Sequence, residues 1–164
     1  MTPAEPLRPV RSSLTLAQAM AIVDAALKAA RAHGLLPLAV AVLDAGAQLV
    51  AFHREDGCGT LRFDIAVGKA AAALGMGMST RLIRDRLAAR PAFQSALAAA
   101  SDGRFIPVPG GVLVLDAAGA AIGAVGISGD TSDKDEFCAV TAVQAAGLGS
   151  EPAAPDPAWN QSQL

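Results

Sequence analysis

The hydrophobic pattern of this chain switches between two periods, and each switch marks an element. From Leu16 onward, apolar side chains at Leu16, Met20, Val23 and Leu27 recur at helical spacing. Thr15 and Gln18 stand at capping-box spacing ahead of them, and Gly34 follows His33 as a stop, so a first helix is expected there. In LPLAVAVLDAGAQLVAFHRED, two apolar runs flank Asp44-Ala45-Gly46-Ala47, the composition of a hairpin turn. GVLVLDAAGAAIGAVGIS repeats that design further on: apolar run, Asp-Ala-Ala-Gly turn, apolar run. Between the two hairpins the pattern predicts a helix from about Leu61 to Gly75, another within STRLIRDRL behind Ser79, and a third from Pro91 to about Ala99. SDGRFIPVPGG at 101–111 reads as a loop, because two prolines and paired glycines interrupt any regular element. A last helix is expected from about Asp133 to Ala146, closed by Gly147.

Hairpins mean antiparallel pairing, so the order helix, hairpin, helices, loop, hairpin, helix predicts an α+β fold. One antiparallel sheet of about four to six strands, built from the two hairpins and covered by helices, is the expected architecture. Residues 1–13 read as an N-terminal arm, 14–148 as a single domain, and 149–164 as an extended Pro-rich tail whose Trp159 offers an anchor on this or a neighbouring subunit.

Composition narrows the function classes. At 164 residues, 52% of them hydrophobic but only 4% aromatic, the core is built from Ala, Val and Leu, and the apolar excess predicts a homo-oligomer, dimer or higher. Net charge is −2, and the arginines at 81, 84, 86 and 90 spread around a helix, which gives nucleic acid no basic stripe. Apolar stretches are broken well short of the roughly 18 residues that cross a membrane. The opening residues hold no apolar run ahead of a cleavage motif. Cys58 and Cys138 lack CxxC or Cys/His spacing, so a cytoplasmic protein with free thiols and no metal site is expected.

Four carboxylates, Asp130, Asp133, Asp135 and Glu136, crowd the start of the last helix. Ser132 with Asp135, and Asp133 with Glu136, have capping-box spacing, and acids in a first turn suit the helix dipole. The sharper reading makes Gly129, Asp130 and Thr131 a pocket wall at a strand end. In HREDGCGTLRFDIAVGKA, strand alternation places Val50, Phe52 and Arg54 on one face and Leu49, Ala51 and His53 on the other. Lys69 falls beside Ile65, Ala72, Ala73 and Met76, either snorkelling at the rim of a subunit contact or serving as a functional cation. His53 is a candidate haem or metal ligand or general base, His33 suits the dipole at a helix end, and Cys58 near His53 gives a nucleophile–base pair at most. Arg104 and Phe105, on a loop stiffened by proline, form either a crossing between layers or a pocket lip.

Taken together, AVLDAGAQLVAFHREDG, DIAVGKA, FIPVPGGVLVLD and IGAVGISGDTSDKDE resemble the GlcG/HbpS family of small haem-binding-like proteins, which includes the C-terminal module of PduO-type proteins. The resemblance runs from about Leu14 to Leu148. It implies a profilin-like α/β/α sandwich with a central antiparallel sheet, oligomeric assembly, and a ligand pocket at or near a subunit interface. Arg54, Asp56, Lys69, Gly110, Gly111, Thr131 and Glu136 are the positions it marks. It also implies haem or cobalamin as possible ligands, without one shared axial residue; only His33 and His53 supply imidazole here.

Three functions follow as expectations. The first is a cytoplasmic, oligomeric protein binding haem, another tetrapyrrole or a small ligand through His53, Arg54, Lys69, Arg104, Phe105, Gly110, Gly111, Gly129 and Thr131. The second is an enzyme acting on a small carboxylate or carbonyl metabolite, with Arg54 or Lys69 clamping the anion and Glu136 or Asp56 moving a proton. The third is a structural accessory subunit.

Overall fold

The computed structural model describes residues 7–164, so the first part of the expected N-terminal arm lies outside the described residues. Helix α1 spans Leu16–Ala32. Its capping box is formed: Thr15 Oγ1 accepts the Gln18 N–H at 3.2 Å and Gln18 Oε1 accepts the Thr15 N–H at 2.9 Å. Strands β1 (Ala39–Asp44) and β2 (Leu49–Arg54) make the first hairpin, β3 (Gly111–Leu115) and β4 (Ala121–Ser128) the second. Both turns use the same chemistry. Asp44 Oδ1 accepts the N–H groups of Gly46 and Gln48, and Asp116 Oδ1 those of Ala118 and Ala120, all within 3.0 Å. Helices α2 (Arg62–Met76), α3 (Thr80–Leu87) and α4 (Pro91–Ala100) lie between the hairpins, and α5 (Ser132–Ala145) follows β4.

The sheet has five antiparallel strands in the order β2-β1-β4-β3-β5, the last being Gly149–Glu151. That short strand lies inside the stretch whose composition predicts an extended tail. Three residues are too few for periodicity to show, and Glu151, Ser150 and Gly149 pair with Leu113, Val114 and Leu115. A second difference sits in the first hairpin. The register shifts between Val42 and Leu43, opposite Val50, so Val50 packs with the Val40–Val42 side of the sheet instead of sharing a face with Phe52.

Helices α1 and α5 cover one face, where Ile22, Val23, Val140 and Val143 pack on Val40, Val42, Val112, Val125 and Ile127. Helix α2 covers the other through small residues, Ala70 and Ala73 lying on Leu43, Leu113 and Ala124. The result is the α/β/α sandwich that the resemblance implies. Glycine sets the spacing of this second layer. A Cβ on Gly126 would overlap the carbonyl oxygen of Ala66, so the helix backbone rests directly on the strand. Among the described residues, no helix is long and apolar enough to cross a membrane.

Candidate functional site

The underside of α2 points Lys69 toward the end of the sheet, where β4 gives way to α5. The residue is 1% exposed. Its Nζ donates to the carbonyl of Ile127 at 2.8 Å and to Asp135 Oδ2 at 2.8 Å. Asp135 Oδ1 in turn accepts the N–H of Asp130 at 3.1 Å. Gly110 makes room for this pair: it sits at φ +117°, and a Cβ there would lie 2.8 Å from Lys69 Nζ. Gly111 is pressed just as hard, against the Lys69 carbonyl, while its N–H donates to Thr80 Oγ1 at 2.8 Å. Burial pushes the Asp135 carboxyl up to about 6, against the pull of Lys69 and the Asp130 N–H. Lys69 is therefore neither at a subunit rim nor an open cation; it ties α2 to the start of α5.

That arrangement also corrects the capping reading of the acid run. The N-cap of α5 is Thr131, whose side chain makes no capping bond. Asp135 and Glu136 turn inward to cations. Asp130 accepts the N–H groups of Leu36 at 2.9 Å and Thr131 at 2.8 Å and pairs with Lys134 at 3.2 Å. Burial raises its carboxyl, but those partners outweigh it and hold it below the usual carboxylate range. Glu136 is fully buried and meets Arg81 Nε at 3.2 Å, yet its oxygens accept no well-aligned hydrogen bond among the described residues. Burial pushes it up to about 7, with Arg81 pulling the other way.

The remaining candidates separate into distinct places. Arg54 and Asp56 line an open hollow of about 460 Å³ with Arg31, Pro37 and Glu55. His53 is exposed on β2, on the opposite face from Arg54, opposite Val40 of β1. Arg104 and Phe105 border a groove of about 190 Å³ between α2 and α4, and Phe105 is buried there against Ile83 and Leu87. Gly129 lies against the carbonyl of Pro37. Thr131 Oγ1 is 2.6 Å from Ser162 Oγ of the C-terminal tail. So Lys69, Gly110 and Gly111 come together in a buried knot, Glu136 and Thr131 lie at its far side under the tail, and Arg54 with Asp56 stands apart. Cys58 is half-buried, and burial raises its thiol. Among the described residues, no group of three His, Cys, Asp or Glu side chains is arranged to hold a metal ion.

Two features escaped the sequence reading. Arg62, in the first turn of α2, donates from Nη1 to Ser128 Oγ at 3.1 Å and bridges helix to strand end; an arginine in a helical first turn carries no signal of its own. The second is an aromatic nest. Trp159 lies flat on Phe137, centroids 3.7 Å apart at 7°, and the His33 imidazole stands edge-on to both rings, at 4.9 Å from Phe137 and 5.3 Å from Trp159. Beside it opens a hollow of about 400 Å³ bordered by His33, Gly34, Leu35, Trp159, Asn160 and the paired Asp130 and Lys134. Aromatic scarcity made Trp159 visible as an anchor, but nothing local linked it to His33.

Comparison with known proteins agrees with this architecture. The model of the family described as haem degrading protein, HbpS-like, matches residues 14–144. Among solved structures, PduOC in complex with haem is 24% identical with a TM-score of 0.75, over 84% of this chain and 98% of that one. At that identity the likeness establishes the fold. Protein ORFY of Klebsiella pneumoniae is 27% identical, with a TM-score of 0.73 over 90% of this chain and 97% of that one. A double mutant of Streptomyces reticuli HbpS is also 27% identical, with a TM-score of 0.67 over 87% and 97%. A comparison with the curated proteins gives no match. With the family match spanning the domain from the start of α1 to the end of α5, the chain belongs to the HbpS-like family.

Proposed function

We propose that this chain binds haem or a closely related planar tetrapyrrole, as a binding protein rather than through acid–base turnover. Family membership supports the ligand class, since the family is described by its action on haem. The donor set supports it independently. Haem calls for an imidazole on iron, apolar or aromatic walls, and cations for its carboxylates. At the nest, His33 supplies the imidazole, Trp159 backed by Phe137 the ring, and Lys134, which is paired with Asp130, the ammonium. These residues fit the group. His53 fits it less well, because its neighbours on that face of β2 and β1 are the aliphatic Ala51 and Val40. Bound there, haem would supply its own iron chemistry and a visible absorption band; the protein's part is to hold and orient it.

The observation that carries this reading is an exposed imidazole standing edge-on to Trp159 at the mouth of a hollow that the indole borders. Of the residues the enzymatic alternative would use, Lys69 and Glu136 are buried and paired within the fold, which leaves it Arg54 and Asp56 at their open hollow. Assembly into a homo-oligomer in the cytoplasm belongs to the same proposal. Exposed Leu49, Leu61 and Phe63 along the flank of β2 and α2 support a contact between copies.

The test is a spectral titration with hemin, with cobalamin as a second ligand. Binding should produce a shifted Soret band that His33→Ala moves or weakens and His53→Ala leaves in place. A flat hemin titration of the unmodified chain would refute the proposal.

A further inference from the structure

A polar, Pro-rich stretch buries little apolar surface to offset its ordering entropy, and such segments ordinarily stay loose. Here the C-terminal tail is fastened at intervals. Glu151 accepts from the backbone N–H and hydroxyl of Ser79, Gln144 Nε2 donates to the Ala153 carbonyl at 2.8 Å, and Arg81 Nη2 donates to the Ala154 carbonyl at 3.0 Å. Further along, Ser162 Oγ meets Thr131 Oγ1 at 2.6 Å. What these fastenings deliver is the chain's one tryptophan, laid flat on Phe137. One face of the indole is taken by Phe137, and the half-buried ring also borders the hollow at His33, next to Asn160. The hollow therefore has three walls: the end of α1, the start of α5, and the tail. The family match ends at residue 144, so the third wall lies beyond the matched domain.

We infer that the tail completes the ligand site, with Trp159 as a stacking residue for a planar, conjugated ligand that carries carboxylates. This deepens the haem reading and rests on it. Stacking on an indole needs a flat π surface and no metal, whereas coordination by His33 needs iron. The two contributions therefore separate when the same macrocycle is offered with and without its metal. Trp159 serves both forms of the ligand; His33 serves the iron form alone.

The experiment titrates the full chain and the variants Trp159→Ala, Trp159→Phe and His33→Ala with hemin and with iron-free protoporphyrin IX, following the Soret band. Trp159→Ala should weaken both ligands by about threefold to tenfold, and Trp159→Phe should restore most of the loss. His33→Ala should weaken hemin much more than protoporphyrin. Thermal melts of each variant show whether the domain itself is intact, and the phenylalanine variant keeps the tail docked if alanine releases it. Unchanged affinity of Trp159→Ala for both ligands, alongside a loss in His33→Ala, overturns the role of the tail and leaves the haem reading standing. If the unmodified chain binds neither macrocycle, the haem reading falls and this inference with it.

Discussion

Lys69 and Asp135 are 66 positions apart in sequence and meet at 2.8 Å, each about 1% exposed. A buried pair of this kind adds little net stability compared with apolar residues of the same shape, but breaking it is costly because one charge is stranded. Lys69→Met should therefore destabilise the fold by about 3–5 kcal/mol at pH 8, measured by urea unfolding. Without Lys69 the Asp135 carboxyl rises further and takes up a proton, and a neutral carboxyl is cheaper to bury. The deficit should shrink at pH 5. A loss of the same size at both pH values would mean that Lys69 contributes through packing alone.

Glu136 predicts the slope of stability against pH. Its folded value, about 7, lies above the ordinary 4.5, with burial as the main cause. A carboxyl raised in the folded state contributes stability that is full below its unfolded value and is lost as pH rises through the folded one. The protein should lose stability between about pH 4.5 and 7, and Glu136→Gln should remove most of that slope, an effect of up to about 3 kcal/mol. Melting temperatures across that range decide it; parallel curves for the two proteins would contradict the assignment. Asp135, raised to about 6 by the same cause, leaves a smaller slope of the same sign in the variant.

Two glycines should respond in opposite ways. Gly126→Ala puts a methyl group into the Ala66 carbonyl and must lift α2 off the sheet, at a cost of about 1–3 kcal/mol or more. Gly75, near the end of the same helix, has nothing within 4 Å of the corresponding position. Gly75→Ala should stabilise by up to about 1 kcal/mol, since alanine is the better helix former. Paired chemical denaturation of the two variants checks both signs.

The thiols should also divide. Cys138 is fully buried and pushed up to about 12 by burial, while Cys58 is half-buried in a loop. A thiol reagent at neutral pH should titrate Cys58 in the native protein and Cys138 only after unfolding. Prompt reaction of both groups without denaturant would show that α5 opens locally.

Local rules accounted for the parts of the fold that local chemistry builds. Thr15 with Gln18, Asp44 before its turn and Asp116 before its own could all be read directly, because each bonds within four residues. The placement of β4 between β1 and β3 could not, since no turn joins β1 to β4. The same limit governs the site. Helical geometry marked Lys69 as out of place on an apolar surface, but its partner arrives from another layer. The acids at 135 and 136 follow capping spacing while answering to Lys69 and Arg81. His33 looked like a dipole-matched helix end because its aromatic neighbours, Phe137 and Trp159, are more than a hundred residues downstream.

The two outer strands of the sheet are unequal in length. On one flank Gly149–Glu151 offers three residues, and β3 is already satisfied by them; on the other, Leu49–Arg54 runs for six with its outward amides and carbonyls facing no strand among the described residues. The longer open edge is therefore the one at β2. A second chain that joined there by backbone pairing would zip along Leu49–Arg54, carrying His53 and Arg54 into the seam.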